Sequence, residues 1–393
     1  MMIGLRAVAN ILIRNIHEWR RRRFPSLLID HNRINPEAKK KIKSILITRF
    51  QRMGDMILFI PTLRELRRLF PRARIDLLCL EPLGIETIKH CPYIDGIIIC
   101  WEWKGFIKKW LGRLKARMER YDLFITSCAE PTLARFGVYI GAKYIVGFKE
   151  KIRFGASYKE AEPYLLDIAL DYDPTLHEVE QNLKIVKALG SHDVDSSLEY
   201  YVSKKDTSFI RSLLNKQIPN PNGPLICVHP GSNQPQKRWI PERFAEVCSL
   251  LINKFRANIA FVGSLDEKDL TNRIIQLLEK QSINLVGIIT LGQLAALLSN
   301  SDLLIGNDSG PMHMAAAVGT QIVALYGGGE YTYWRPWTKD KQSIVIMHKV
   351  SCSPCMKFDC QDNVCMKLIS VKEVYEAVAL ILNEKKSKNT ETY

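Results

Sequence analysis

The strongest constraint on this chain is a strand–helix rhythm that runs, pauses and starts again. The run Ser-Ile-Leu-Ile-Thr at 44–48 is short and apolar, suited to a strand buried on both faces. A loop with Gly54 follows, then a helix whose Ile57, Ile60, Leu63, Leu66 and Leu69 recur at helical spacing. Further strands are predicted at 75–80, 96–100, 121–126 and 142–148. A polar stretch with Pro163, Asp171, Asp173 and Pro174 precedes a helix around 178–189 and closes this half. The rhythm resumes with strands at 224–229, 258–262, around Leu285, 303–306 and 321–325. Helices are predicted between them at 241–254, 267–280, 291–299 and 310–318. Alternation of this kind folds as βαβ units on a parallel sheet. The expected class is therefore α/β, with two doubly wound, Rossmann-like domains facing each other across a cleft.

Residues 191–222 hold few apolar runs and include Pro219 and Pro221, which places a linker at 206–222. The first domain is then 43–205 and the second 223–370, with a helix and polar tail at 371–393. Residues 1–42 read as a basic amphipathic extension. In it Leu5, Val8, Ile11, Leu12, Ile13 and Ile16 repeat at roughly helical spacing, followed by Trp19 and by Arg20, Arg21, Arg22 and Arg23. Such a helix either lies on anionic lipid or covers the first domain with its polar face in water. The formal net charge of +15 suits nucleic acid, an anionic membrane or phosphate-bearing substrates. Helix-turn-helix, RNP and paired zinc-finger patterns are missing, so nucleic acid is not an expected partner. No apolar run reaches the roughly 18 residues a spanning helix needs. Arg6 and Arg14 break the apolar start, and no small-residue cleavage site follows, so the expected location is cytoplasmic.

The second half carries the strongest chemical signal, Gly306-Asn307-Asp308-Ser309-Gly310-Pro311-Met312-His313, followed by Ala315, Ala316, Ala317 and Gly319. A strand ends at Gly306 and a small-residue helix begins near Gly310. Unpaired backbone N–H groups at such a helix start favour phosphate, and Ser309 adds a hydroxyl. His229-Pro230-Gly231-Ser232 is a second strand-to-loop turn, followed by Lys237 and Arg238, whose charge suits a diphosphate leaving group. After Val262-Gly263-Ser264, Asp266 or Glu267 stands where a doubly wound domain holds ribose hydroxyls. Walker and dinucleotide glycine fingerprints are missing, which argues against a kinase or an NAD enzyme. In the first half, Asp55 follows the first strand within Arg49-Phe50-Gln51-Arg52-Met53-Gly54-Asp55. It either caps the next helix or serves as a general base.

Together these strings, with Pro61, Leu63-Arg64, Phe70-Pro71 and Trp239, resemble glycosyltransferase family 9, which includes the ADP-heptose:lipopolysaccharide heptosyltransferases. The resemblance spans about 43–369. It implies the GT-B fold, an acceptor-binding N-terminal domain, a C-terminal domain for ADP-heptose, and inverting transfer without a metal-binding DXD motif. By position it implies Asp55 as general base, Lys237 at the donor phosphates, and Glu267 or Asp266 near the nucleoside or sugar. Asp308, Ser309, Gly310 and His313 match the donor segment, with Gly231, Ser232 and Arg238 beside it. Arg49 and Arg52 are the expected acceptor contacts, and Arg52 stands where some heptosyltransferases carry a small hydroxyl residue. The expected partners are a nucleotide sugar, a lipid-linked saccharide and the anionic inner membrane surface, with no cofactor required for transfer.

Six of the ten cysteines, Cys79, Cys91, Cys100, Cys128, Cys227 and Cys248, are scattered singly and read as reduced residues. Cys352, Cys355, Cys360 and Cys365 form C-x2-C-x4-C-x4-C. Four thiolates so close suit structural zinc or an iron–sulfur cluster, while simple thiols or a disulfide remain the alternative.

Overall fold

Each run of the rhythm builds its own parallel sheet. The structure, a computed structural model, describes residues 2–24, 26–30, 33–49, 52–79, 82–99, 114, 116–127, 131–149, 152–153, 156–157, 162–339, 342–353, 355, 360 and 362–390. It divides into two compact units, Met1–Ser196 and Ser197–Tyr393.

The first unit opens with helix α1 (Met2–Arg23), then β1 (Ser44–Thr48), α2 (Met53–Ile57), α3 (Ile60–Leu69), β2 (Arg74–Cys79) and β3 (Gly96–Ile99). It continues through β4 (Leu123–Thr126), α4 (Pro131–Tyr139), β5 (Tyr144–Phe148), β6 (Ile168–Leu170) and α5 (Glu178–Ala188). The sheet order is β6-β5-β4-β1-β2-β3, parallel throughout. Ile45, Leu46 and Ile47 are buried on both faces of β1, as its unbroken apolar run requires.

The second unit runs α6 (Lys204–Gln217), β7 (Leu225–His229), α7 (Pro241–Phe255), β8 (Asn258–Phe261), α8 (Lys268–Leu278) and β9 (Ile283–Asn284). Then come α9 (Leu291–Ser299), β10 (Leu303–Asn307), α10 (Gly310–Val318), β11 (Gln321–Tyr326), β12 (Ser343–Met347) and α11 (Val371–Thr390). Its order, β9-β8-β7-β10-β11-β12, is again all parallel. In both sheets the strand order reverses beside the first strand, between β1 and β4 and between β7 and β10. Ligands of open α/β sheets bind at that reversal, beyond the carboxyl ends of the strands.

Three boundaries differ from expectation. Residues 206–222 are not a plain linker, because α6 occupies most of them and packs on α9 within the second unit. Ser203 caps α6 by accepting the Asp206 N–H, and Ile210 and Leu214 bury one stripe of an otherwise polar helix. For α1, the packing is that of the alternative in which it covers the first domain. Ile13 packs against the core containing Ala134 and Val138, while Arg20 is buried and pairs with Asp167 at 2.9 Å. Likewise α11 is part of the second core, through Val374, Val378, Ile381 and Leu382. Leu285 is buried just past β9 rather than inside it.

Candidate functional site

The β7/β10 reversal gathers most of the donor residues expected from sequence. Asn307, the last residue of β10, is fully buried and staples the loop after β7. Its Nδ2 donates to the carbonyls of Pro230 at 2.8 Å and Gly231 at 3.2 Å, and its Oδ1 accepts the Trp239 N–H at 3.1 Å. That clamp holds the intervening turn, where Lys237 Nζ lies 2.5 Å from Asp308 Oδ2. Arg238 points back, its Nε donating to the Ser232 carbonyl at 2.9 Å, so it shapes the loop.

Ser309 is the N-cap of α10 and makes no side-chain cap bond, so its hydroxyl leaves the Gly310 N–H unoccupied; Pro311 has no N–H, and the Met312 N–H meets the Ser309 carbonyl at 3.2 Å. The dipole of the nine-residue helix adds to the Lys237 charge at the same place. Ser309 Oγ lies 3.0 Å from the Asn307 carbonyl and 3.0 Å from His229 Nδ1, so its single proton is engaged within the protein. His313 is buried on α10. Burial, opposed by Asp308 and reinforced by Lys237, lowers its pKa to about 4 and leaves a neutral imidazole at neutral pH.

At the end of β8, Glu267 and Asp266 part company. Asp266 is exposed, whereas the one-turn 3-10 helix Leu265–Glu267 carries Glu267 inward, where it is 8% exposed. Glu267 Oε2 accepts from the Ser264 N–H at 2.8 Å and Oγ at 3.1 Å and bonds His229 Nε2 at 3.2 Å. Burial pushes this carboxyl up, but the bond and charge of His229 and the two Ser264 bonds outweigh it and bring it to about 2. The niche exists because Gly231 and Gly263 lack side chains. A Cβ on Gly263 would stand 2.7 Å from Glu267 Oε2, and one on Gly231 would overlap Oε1.

The β1/β4 reversal carries the Asp55 cluster of the first unit. Asp55 sits in the first turn of α2, its side chain 12% exposed, with Oδ1 3.5 Å from Arg49 Nη2. Arg49, expected at the acceptor, is instead fully buried, because it follows directly on the central strand. Its guanidinium meets Glu178 Oε1 at 2.8 Å, Asn182 Oδ1 at 3.2 Å and Ser127 Oγ at 3.4 Å, and packs over the Phe59 ring. The His177 and Glu180 capping box starts α5 so that Glu178 points inward. Arg49 therefore orients Asp55 from behind. Arg52 is exposed at the N-cap of α2, where a ligand can reach it, while Phe50 and Gln51 lie outside the described residues. His229, Asn307 and Glu178 are the residues that motif reading missed. Only His229 and Asn307 lay inside quoted strings, and no spacing rule gives them a task.

Cys352, Cys355, Cys360 and Cys365 are reduced thiols. Cys355, Cys360 and Cys365 line one small cavity with Lys237, Gln236 and Asn363. Among the described residues no three His, Cys, Asp or Glu side chains are arranged to hold a metal ion. Cys79, Cys91, Cys227 and Cys248 are buried as expected, and Cys100 and Cys128 lie outside the described residues.

Comparison with known proteins agrees with this geometry. The profile of glycosyltransferase family 9 (heptosyltransferase) matches residues 112–365. Lipopolysaccharide heptosyltransferase 3 of Escherichia coli K12 is 28% identical over 298 residues, covering 73% of this chain and 83% of that protein. A glycosyl transferase family 9 structure from Veillonella parvula superposes with a TM-score of 0.73 at 25% identity, covering 87% of this chain and 97% of that one. An E. coli heptosyltransferase solved with ADP shares the fold at a TM-score of 0.64 and 16% identity, covering 86% and 99%. With the profile spanning most of the chain and two GT-B-type sheets beneath it, the chain belongs to glycosyltransferase family 9 and is a glycosyltransferase.

Proposed function

We propose that this enzyme transfers a heptose from ADP-heptose to a lipid-linked saccharide of the lipopolysaccharide core, with inversion and without a divalent cation. The carrying observation is the Lys237–Asp308 pair beside the uncapped start of α10, a cationic, backbone-lined place for a diphosphate. The names of the relatives supply the sugar and the acceptor class. In the reaction the acceptor hydroxyl attacks the anomeric carbon as the bond from that carbon to the diphosphate oxygen breaks. Asp55 takes the hydroxyl proton, and Lys237 with the α10 N-terminus offsets the charge gathering on the departing ADP. Arg49 holds Asp55 in place, and Glu267 meets the ribose.

The test is transfer from ADP-heptose, against UDP- and GDP-sugars, onto a heptose-deficient core lipid, with and without EDTA. The expected result is ADP-heptose preference, an inverted product, no effect of chelation, and transfer reduced at least about a thousandfold in Asp55→Asn with ADP binding retained. Undiminished transfer in Asp55→Asn, or preference for a UDP- or GDP-sugar, would overturn the reading.

Among the described residues no helix is long and apolar enough to cross a membrane. We propose that α1 brings the enzyme to anionic lipid with the face it leaves outward. His17 and Arg20 turn inward, while Ile16, Trp19, Arg22 and Arg23 are exposed and the Arg23 guanidinium stacks on Trp19. Arg22→Glu with Arg23→Glu should abolish sedimentation with phosphatidylglycerol vesicles and leave the melting temperature unchanged. Equal sedimentation of both proteins would remove this role.

A further inference from the structure

We propose that His229 is a positioning residue that sets Glu267 for ribose recognition and ties it to Ser309 at the start of the phosphate-binding helix. The inference deepens the donor-site reading and rests on it.

His229 ends β7 and is 4% exposed. Its two ring nitrogens reach different segments, Nε2 to Glu267 Oε2 at 3.2 Å and Nδ1 to Ser309 Oγ at 3.0 Å. The Glu267 carboxylate is ionised at neutral pH and can only accept, so Nε2 is the nitrogen that carries a proton. Nδ1 lies 3.0 Å from Ser309 Oγ, which also meets the Asn307 carbonyl at 3.0 Å. One ring thus joins the loop after β8 to the N-cap of α10, across the reversal point where a nucleoside diphosphate would lie.

The two Glu267 oxygens are used unequally. Oε2 takes the bonds from His229 and from both Ser264 groups, whereas Oε1 takes none from the described residues and lies against Gly231. Oε1 is therefore the oxygen left for a ribose hydroxyl. Ser264 and Glu267 belong to the same turn, so their bonds travel with that turn. His229 is the tie to the neighbouring strand, and it decides where Oε1 points relative to the α10 start. Losing it would leave a buried carboxylate short of one charge-assisted bond and able to rotate.

The experiment measures binding of ADP and of 2′,3′-dideoxy-ADP by calorimetry, because their ratio isolates the ribose hydroxyls. In wild type ADP should bind about tenfold or more tightly than the dideoxy compound. Glu267→Ala should erase that preference. His229→Ala should erase most of it as well, weakening ADP while changing the dideoxy compound by less than about threefold. His229→Gln, whose amide N–H can reach Glu267 from the Nε2 position, should recover more of the preference than His229→Asn. A merely structural role would lower both ligands by one factor in every His229 variant, and that result, or a preference untouched in His229→Ala, overturns the proposal. A preference that survives Glu267→Ala would overturn the donor-site reading itself, and this inference with it.

Discussion

Lys237 and Asp308 face one another as a mostly buried pair, the lysine side chain 13% exposed and the aspartate 6%. Each compensates the other, and in the proposed reaction a diphosphate would compete for the ammonium. Removing the lysine alone leaves a carboxylate buried without its partner, which costs about 3 kcal/mol or more. Lys237→Met should therefore lower both ADP affinity, by about tenfold or more, and stability. Adding Asp308→Asn should restore most of the stability and none of the affinity. Denaturant melts and calorimetry on the single and double variants check both halves of that expectation. The sequence offers Lys237, Asp308 and Glu267 as donor candidates because glycines and charges at strand ends are visible in one dimension. It could not tell Glu267 from Asp266, since the turn that buries one and exposes the other is a matter of a single residue's rotation. The burial of Arg49 is hidden for a related reason. A charge next to a catalytic candidate reads as a ligand contact, and only the inward-pointing Glu178, 129 residues away in sequence, shows that its charge is satisfied inside.

Elements whose pattern was dense were legible, and those with thin patterns were not. The α10 helix follows its sequence bounds because a strand end, Pro311 and Gly319 bracket it, with Gly319 taking the left-handed turn at φ 85 that stops the helix. By contrast α6 buries only Ile210 and Leu214, four residues apart, while Phe209 is exposed. Phe209, Ile210, Leu213 and Leu214 are bunched within six residues and flanked by polar ones, with Pro219 and Pro221 close behind, so the segment reads as linker. β12 is not among the expected strands although Ile344, Val345, Ile346 and Met347 form an apolar run; its residues are all only partly buried at the sheet edge. Ile210 is nevertheless fully enclosed against the second unit. Ile210→Ala should destabilise that unit by about 2–4 kcal/mol, whereas Phe209→Ala should change it by less than about 0.5. Urea titration of both variants distinguishes a packed helix from a tether, because a tether would tolerate either change.

At the scale of the whole molecule, the repeated rhythm specified two sheets, and the rule that parallel crossovers are right-handed narrows how such sheets are wound. What the rhythm could not specify is how each unit pays for burying titratable groups. His313 in the second unit and His17 in the first both have pKa values lowered to about 4, His313 chiefly by burial and His17 by burial and then by Arg20 and Arg21. A histidine that resists protonation when folded but accepts a proton near pH 6.5 when unfolded makes the unfolded state the better proton binder below that value. Stability is therefore fully present above about pH 6.5, falls as the pH drops towards about 4, and changes no further from this source below it. Glu267 works in a separate window. Its depressed pKa stabilises the fold above the ordinary carboxyl range near pH 4.5, a contribution lost only as the pH falls towards about 2. Between pH 7 and pH 5 the histidines are thus the relevant groups, and His313 alone should remove about 2 kcal/mol from the second unit. His313→Asn should flatten that unit's dependence over this interval even if it lowers stability at pH 7. Urea melts of the two proteins at pH 7, 6 and 5 measure the slope, and parallel slopes would show that His313 takes up its proton equally in the folded and the unfolded chain.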